Sequence, residues 1–142
     1  MRTHVRMIAG VLLSVAAAAS SAADIVVVVS SRSAVTALRP DQVAAVFLGQ
    51  EARFPDGSDA VALDQPVNSA LRDQFYLKVT GKTRALLKAY WSKMVFTGRG
   101  QPPREAPDSI AVRKAVADNP SVVGYIDRDA LDGSVRPVLV IH

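Results

Sequence analysis

Five β-branched residues in a row, Ile25-Val26-Val27-Val28-Val29, carry no polar interruption. A strand with one wet face alternates apolar and polar positions, so an unbroken run predicts a strand buried on both faces, inside a sheet covered by helices. The polar stretch Ser30-Ser31-Arg32-Ser33 follows. Leu38-Arg39-Pro40-Asp41-Gln42 then reads as a helix start. Proline suits the first helical position, Asp41 the first turn, and Leu38 is spaced to staple against Val43. Val43, Val46 and Phe47 make the apolar stripe of that helix, and Gly49 fits the position just past its end.

Phe54-Pro55-Asp56-Gly57-Ser58 is turn chemistry. Ala60 to Leu63 is a short apolar run that predicts a second strand ending near Asp64. Asn68 or Ser69 caps a helix with Leu71, Phe75 and Val79 on one face, stopped by Gly81. Lys82 or Thr83 opens a further helix on which Leu86, Leu87, Tyr90, Trp91, Met94 and Val95 recur at helical spacing, the strongest such pattern in the chain. Gly98 to Pro107, rich in glycine and proline, reads as an irregular loop. Asp108 or Ser109 caps a helix through Val112 and Val116 that ends at Asn119-Pro120. Val122 to Ile126 and Val135 to Ile141 are the last two strands, joined through the Asp132-Gly133 turn. The order β-α-β-α-α-α-β-β is an α/β layout in one domain.

The first 23 residues stand apart. Arg2, His4 and Arg6 form a basic start, Met7 to Ala19 is a 13-residue apolar run, and Ser21-Ala22-Ala23 supplies small residues before Asp24. That is the layout of a cleavable signal peptide, and the run falls short of the 17 to 25 residues or so that span a bilayer. The expectation is a signal peptide over 1–23 and a domain over 24–142, periplasmic or secreted, with no membrane span once the leader is cut. Without Arg2 and Arg6 the chain keeps 15 basic against 13 acidic residues. So small an excess gives no argument for a nucleic-acid partner. Cysteine is absent, which removes disulfides, thiol nucleophiles and cysteine metal sites.

Enzyme chemistry finds little to work with. After cleavage the only histidine is the terminal His142. Ser92 and Lys93 are adjacent on a predicted helix and so point different ways. The acidic string from Asp127 to Gly133 places its third Asp and its Gly one position too late for an EF-hand loop, with Val138 where the closing Glu belongs. Phe96 to Arg104 has two arginines but no Gly-Lys-Ser/Thr, so it is no P-loop. No catalytic residue, cofactor or metal is expected. The segment Leu63 to Phe75 is different, because it runs from a strand end through a polar loop into a helix. First-turn amides aimed from there make an anion site by geometry. Ser69 offers a hydroxyl at the cap, and Arg72 a planar fork one turn on.

Several segments resemble a known family. Leu38 to Gly49 (LRPDQVAAVFLG) resembles the L-S-x-D-Q-V-x-x-I-F-L-G segment of periplasmic phosphate-binding proteins, the solute receptors of phosphate ABC transporters. Ser69 to Phe75 resembles their S-G-T-R-x-x-F helix start, and Val116 to Ile126 (VADNPSVVGYI) their V-x-x-N-P-G-A-I-G-Y-V. Tyr90 to Pro103 is similar to a subgroup of short, single-lobe relatives, the phosphate ABC transporter substrate-binding-like proteins. The resemblance implies one lobe of a type 2 periplasmic-binding-protein-like fold, a mixed sheet flanked by about four helices. It implies an exported solute-binding domain that holds phosphate or a similar oxyanion at a helix N-terminus. Its ligand-binding positions are Ser69, Ala70, Leu71, Arg72 and Asp64. Ala70 and Leu71 stand where the family has Gly and Thr, and Asp64 near a place where it often has a phosphate-contacting Arg. The alternative is an envelope interaction or sensor module that no longer binds ligand. A homo-oligomer or a membrane transporter or sensor is the expected partner.

Overall fold

The structure is a computed structural model in which residues 24–142 are described; the expected leader, residues 1–23, lies outside them. The elements run β1 (Ile25–Ser30), α1 (Pro40–Phe47), β2 (Val61–Asp64), α2 (Ala70–Thr80), α3 (Arg84–Phe96), β3 (Arg104–Glu105), α4 (Ser109–Asp118), β4 (Val122–Asp127), a 3-10 turn (Arg128–Ala130) and β5 (Val135–Ile141). The sequence order is reproduced with one addition. The loop between Gly98 and Pro107 contributes the two-residue strand β3, too short to leave a periodic signal.

The sheet order is β3-β2-β4-β1-β5. β1 lies between β4 and β5 and is antiparallel to both, with Ile25 opposite Asp127 on one side and Ile141 on the other. β2 is parallel to β4 and to β3. This is the mixed sheet that the resemblance implies.

The double-sided burial of β1 explains its lack of alternation. Ile25, Val27 and Val29 pack with α1, α2 and α3 through Val43, Phe47, Phe75, Leu87 and Trp91. Val26 and Val28 face the other way, against Val112 and Val116 of α4. Three helices thus cover one face of the sheet and one helix the other. Full burial of a Val, Ile or Phe side chain is worth about 1.5–3 kcal/mol, so β1 is an anchor of both cores.

Local chemistry sets the helix ends. Pro40 begins α1, with Leu38 buried ahead of it and the Arg39 amide donating to Gln42 Oε1 at 2.9 Å. Ser69 caps α2, Thr83 caps α3 and Asp108 caps α4, each through its side-chain oxygen. Gly81 closes α2 at φ 74°, a left-handed conformation that glycine adopts without steric cost. These caps fix where α2 and α4 begin, and both begin beside the same sheet edge.

Candidate functional site

The three parallel strands end on acids: Asp64 on β2, Glu105 on β3 and Asp127 on β4. The segment after Asp64 leads into α2 and separates two clefts that share no lining residue.

The first cleft lies between the starts of α2 and α4. Ser69, Leu71, Ser109, Arg113, Asp127 and Asp129 line it, along with Gln65, Asn68 and Asp108. Ser69 Oγ accepts from the Arg72 amide at 3.3 Å. In any α-helix the amides of the first turn have no intrahelical carbonyl, which leaves those of Ala70 and Leu71 free to meet an anion. The α4 end is already answered by a carboxylate, since Asp108 Oδ1 accepts from the Ala111 amide at 2.8 Å. Ser109 Oγ is also committed, accepting from Gln65 Nε2 and from the Asp127 amide, both at 3.0 Å. The one basic side chain in the lining, Arg113, turns to Asp132 at 3.1 Å and to the Ala130 carbonyl at 2.8 Å. Asp108, Asp127 and Asp129 therefore dominate the charge of this cleft.

The second cleft, about 780 Å³, lies between α3 and the segment around Pro102 and Pro103. Asp64 and Arg72 belong here, not with Ser69. Asp64 is 2% exposed and its carboxylate accepts three hydrogen bonds. Oδ1 accepts from the Gln65 amide at 2.8 Å and from the Tyr125 hydroxyl. Oδ2 accepts from the Tyr76 hydroxyl at 2.5 Å and lies 3.4 Å from Arg72 Nε. That last approach is an ion-pair distance without hydrogen-bond alignment, and Arg72 Nε has no hydrogen-bond partner. The Arg72 guanidinium also sits over the Tyr76 ring, 5.0 Å from its centroid. Burial, and then the Asp64 charge, pushes both tyrosine hydroxyls far above the ordinary tyrosine range.

The five residues expected to bind ligand are thus divided. Ser69 and Leu71 line the first cleft, Asp64 and Arg72 the second, and Ala70 is exposed and lines neither. Sequence reasoning missed Tyr76, Tyr125 and Gln65. The signal lay in the parity of β2. Ala62 and Asp64 point to the same face, and a carboxylate on a core-facing position needs donors from neighbouring elements.

No family model matches the chain, and no curated protein matches it. Solved structures do. A structure described as a phosphate ABC transporter substrate-binding protein with bound phosphate, from Clostridium perfringens, superposes with a TM-score of 0.63 at 21% identity, over 82% of this chain and 45% of that one. The chain has the fold of a single receptor lobe. An ABC-type phosphate transport receptor from Vibrio cholerae gives a TM-score of 0.58 at 17% identity, over 82% of this chain and 46% of that one. PstS from Borrelia burgdorferi gives 0.61 at 11% identity, again over 82% of this chain and 47% of its own. The lobe therefore spans less than half the length of the structures it matches. Among the described residues, no helix is long and apolar enough to cross a membrane.

Proposed function

We propose that this lobe is half of an exported oxyanion receptor, binding phosphate or a similar oxyanion at the first turn of α2. The Ser69 hydroxyl and the Leu71 amide are its contacts, and a second lobe completes the site. The observation that carries the reading is the likeness to a phosphate-bound protein, joined to a capped helix start opening on the cleft at the strands' carboxyl ends. Ligands of open α/β sheets sit at that edge.

The acids of the first cleft explain why a second lobe is needed. One helix terminus and one hydroxyl, netting about 4 kcal/mol on an open face, correspond to a dissociation constant near millimolar. Asp108, Asp127 and Asp129 weaken that further by repulsion. A second copy of the chain, or a transporter or sensor protein, would bring cations and exclude water. The test is titration calorimetry with phosphate on wild type and on Ser69→Asp, alongside sedimentation to fix the oligomeric state. Aspartate keeps the cap and places a negative charge where the anion sits, so heat should vanish while the melting temperature holds. Equal heats in the two proteins, or no heat at millimolar phosphate in an assembled form, would sink the proposal.

The second reading is an interaction or sensor module that has given up its ligand. The acid-rich first cleft favours it, because three carboxylates around a helix start suit a basic partner surface better than an oxyanion. Phosphate silence in the same titration is its expected result. No enzymatic role is proposed under either reading.

A further inference from the structure

The outward side of α3 breaks the pattern of a surface helix. Such a helix turns polar and charged residues to solvent, yet Ala85, Leu86, Ala89 and Phe96 of α3 are all exposed. At about 100° per residue they fall on the side away from the buried Leu87 and Trp91. Phe96 is the last residue of the helix and 92% exposed, the most open large apolar side chain among the described residues. None of the four lines either cleft. The apolar stripe is therefore a ridge rather than a groove.

Charge states what covers it. From Lys82 to Arg104 the chain carries six basic residues and no acidic one, while the other described residues hold nine basic against thirteen acidic. Lys88 and Lys93 are exposed on α3 and take part in no ion pair among the described residues. A second ridge laid on this one would set lysine against lysine, so the ridge does not pair with itself. The first cleft is the matching surface. Its Asp127 and Asp129 also lack an ion pair among the described residues, and the exposed Ile110 joins Leu71, Pro66 and Pro107 as its apolar lining. A volume of about 710 Å³ leaves room for a phenyl ring.

We propose that the α3 ridge of one copy docks in the first cleft of a second copy. Phe96 enters beside Ile110 and Leu71, and Lys93 faces Asp127 and Asp129. The burial of the ring supplies affinity, and the opposed charges set partner and register. The contact is head to tail, so each joined pair still offers one free ridge and one free cleft. Contacts of this kind close into rings or run on as chains. The docking serves either reading of the first cleft. For a receptor it brings the cations and the cover that the open cleft lacks; for an interaction module it makes the chain its own basic partner.

The test is sedimentation of the full-length protein over a concentration series, with and without inorganic phosphate. Lys93→Glu spoils the ridge and Asp129→Lys the cleft, and both residues are exposed and outside the two cores. Wild type should associate as its concentration rises, and less so at high salt. Each variant alone should associate at least about tenfold more weakly. An equal mixture should form a one-to-one dimer at wild-type strength, because one variant keeps a sound cleft and the other a sound ridge. Phe96→Ser mixed with Asp129→Lys should do the same, which checks the apolar half of the contact. The proposal falls if wild type stays monomeric at about 1 mM. It falls equally if the variants associate as wild type does, through the leader or another face, or if the mixture is no stronger than its components. A mixed dimer without phosphate heat keeps the contact and ends the receptor reading. Phosphate heat from a protein that never associates does the reverse.

Discussion

Asp64 draws its partners from two elements and its own loop: the hydroxyls of Tyr76 on α2 and Tyr125 on β4 and the Gln65 amide donate to it, and Arg72 of α2 pairs with it as an ion at 3.4 Å. A charge-assisted hydrogen bond is roughly twice as strong as a neutral one, yet the same burial makes any vacancy expensive. Asp64→Ala leaves two tyrosine hydroxyls without their acceptor and a buried guanidinium without its counter-charge. The expected loss is about 3–5 kcal/mol, read from denaturant unfolding; a loss below about 0.5 kcal/mol, ordinary for a surface site, would mean the network does not hold the lobe. The sequence placed Asp64 at a strand end and Arg72 one turn into α2, and both positions stand. What it did not reveal was direction. A carboxylate and an arginine eight residues apart across a loop look like exposed charges until the fold turns both inward.

At the scale of elements, α4 lies unusually close to β4. A methyl group added at Gly124 would come within 2.5 Å of Val112 Cγ1 and 3.2 Å of Val116 Cγ2. The helix occupies the space a side chain would need, and neither branched valine can swing away from a fixed backbone. Gly124→Ala should cost about 1–3 kcal/mol as an overpacked core, measured by thermal or urea unfolding; a neutral effect would show that α4 can lift off the sheet. The spacing of Val112 and Val116 announced the buried face of α4, because an amphipathic helix encodes its own orientation. Gly124 gave no comparable sign, since closeness between two elements is a property of the pair. The α3 stripe was legible only in part. Leu87 and Trp91 are buried as its spacing predicts, but Leu86 and Val95 remain 56% and 45% exposed. Six apolar positions are a broader band than one sheet face can cover, and Val95 instead lines the second cleft.

Across the whole molecule, the two buried tyrosines make stability depend on alkali. An unfolded tyrosine ionises near pH 10, whereas burial and the Asp64 charge hold Tyr76 and Tyr125 neutral in the fold well above that. Their contribution is complete below about pH 10 and declines as pH rises past it, because the unfolded chain then releases protons the folded chain retains. In an alkaline titration, the tyrosinate absorbance of these two residues should appear together with the loss of circular dichroism. Ionisation of all three tyrosines of the chain while the fold persists would contradict the buried network. The α/β order, the capped helices and the central strand were open to reading because each is written locally. The partition of the candidate residues between two clefts was not, for it depends on how α2 rolls against the sheet. The position of β1 carries one more consequence, in the time of synthesis. Its neighbours β4 and β5 are made after every other strand of this sheet, and the contact between Asp24 and His142 joins positions 118 residues apart. At about 5–20 residues per second, the Ile25–Val29 run waits on the order of ten seconds before either flank exists to cover it. An uncharged β-branched strand is an aggregation hazard while it waits, so a cell making this lobe must shelter its first strand until its last two arrive.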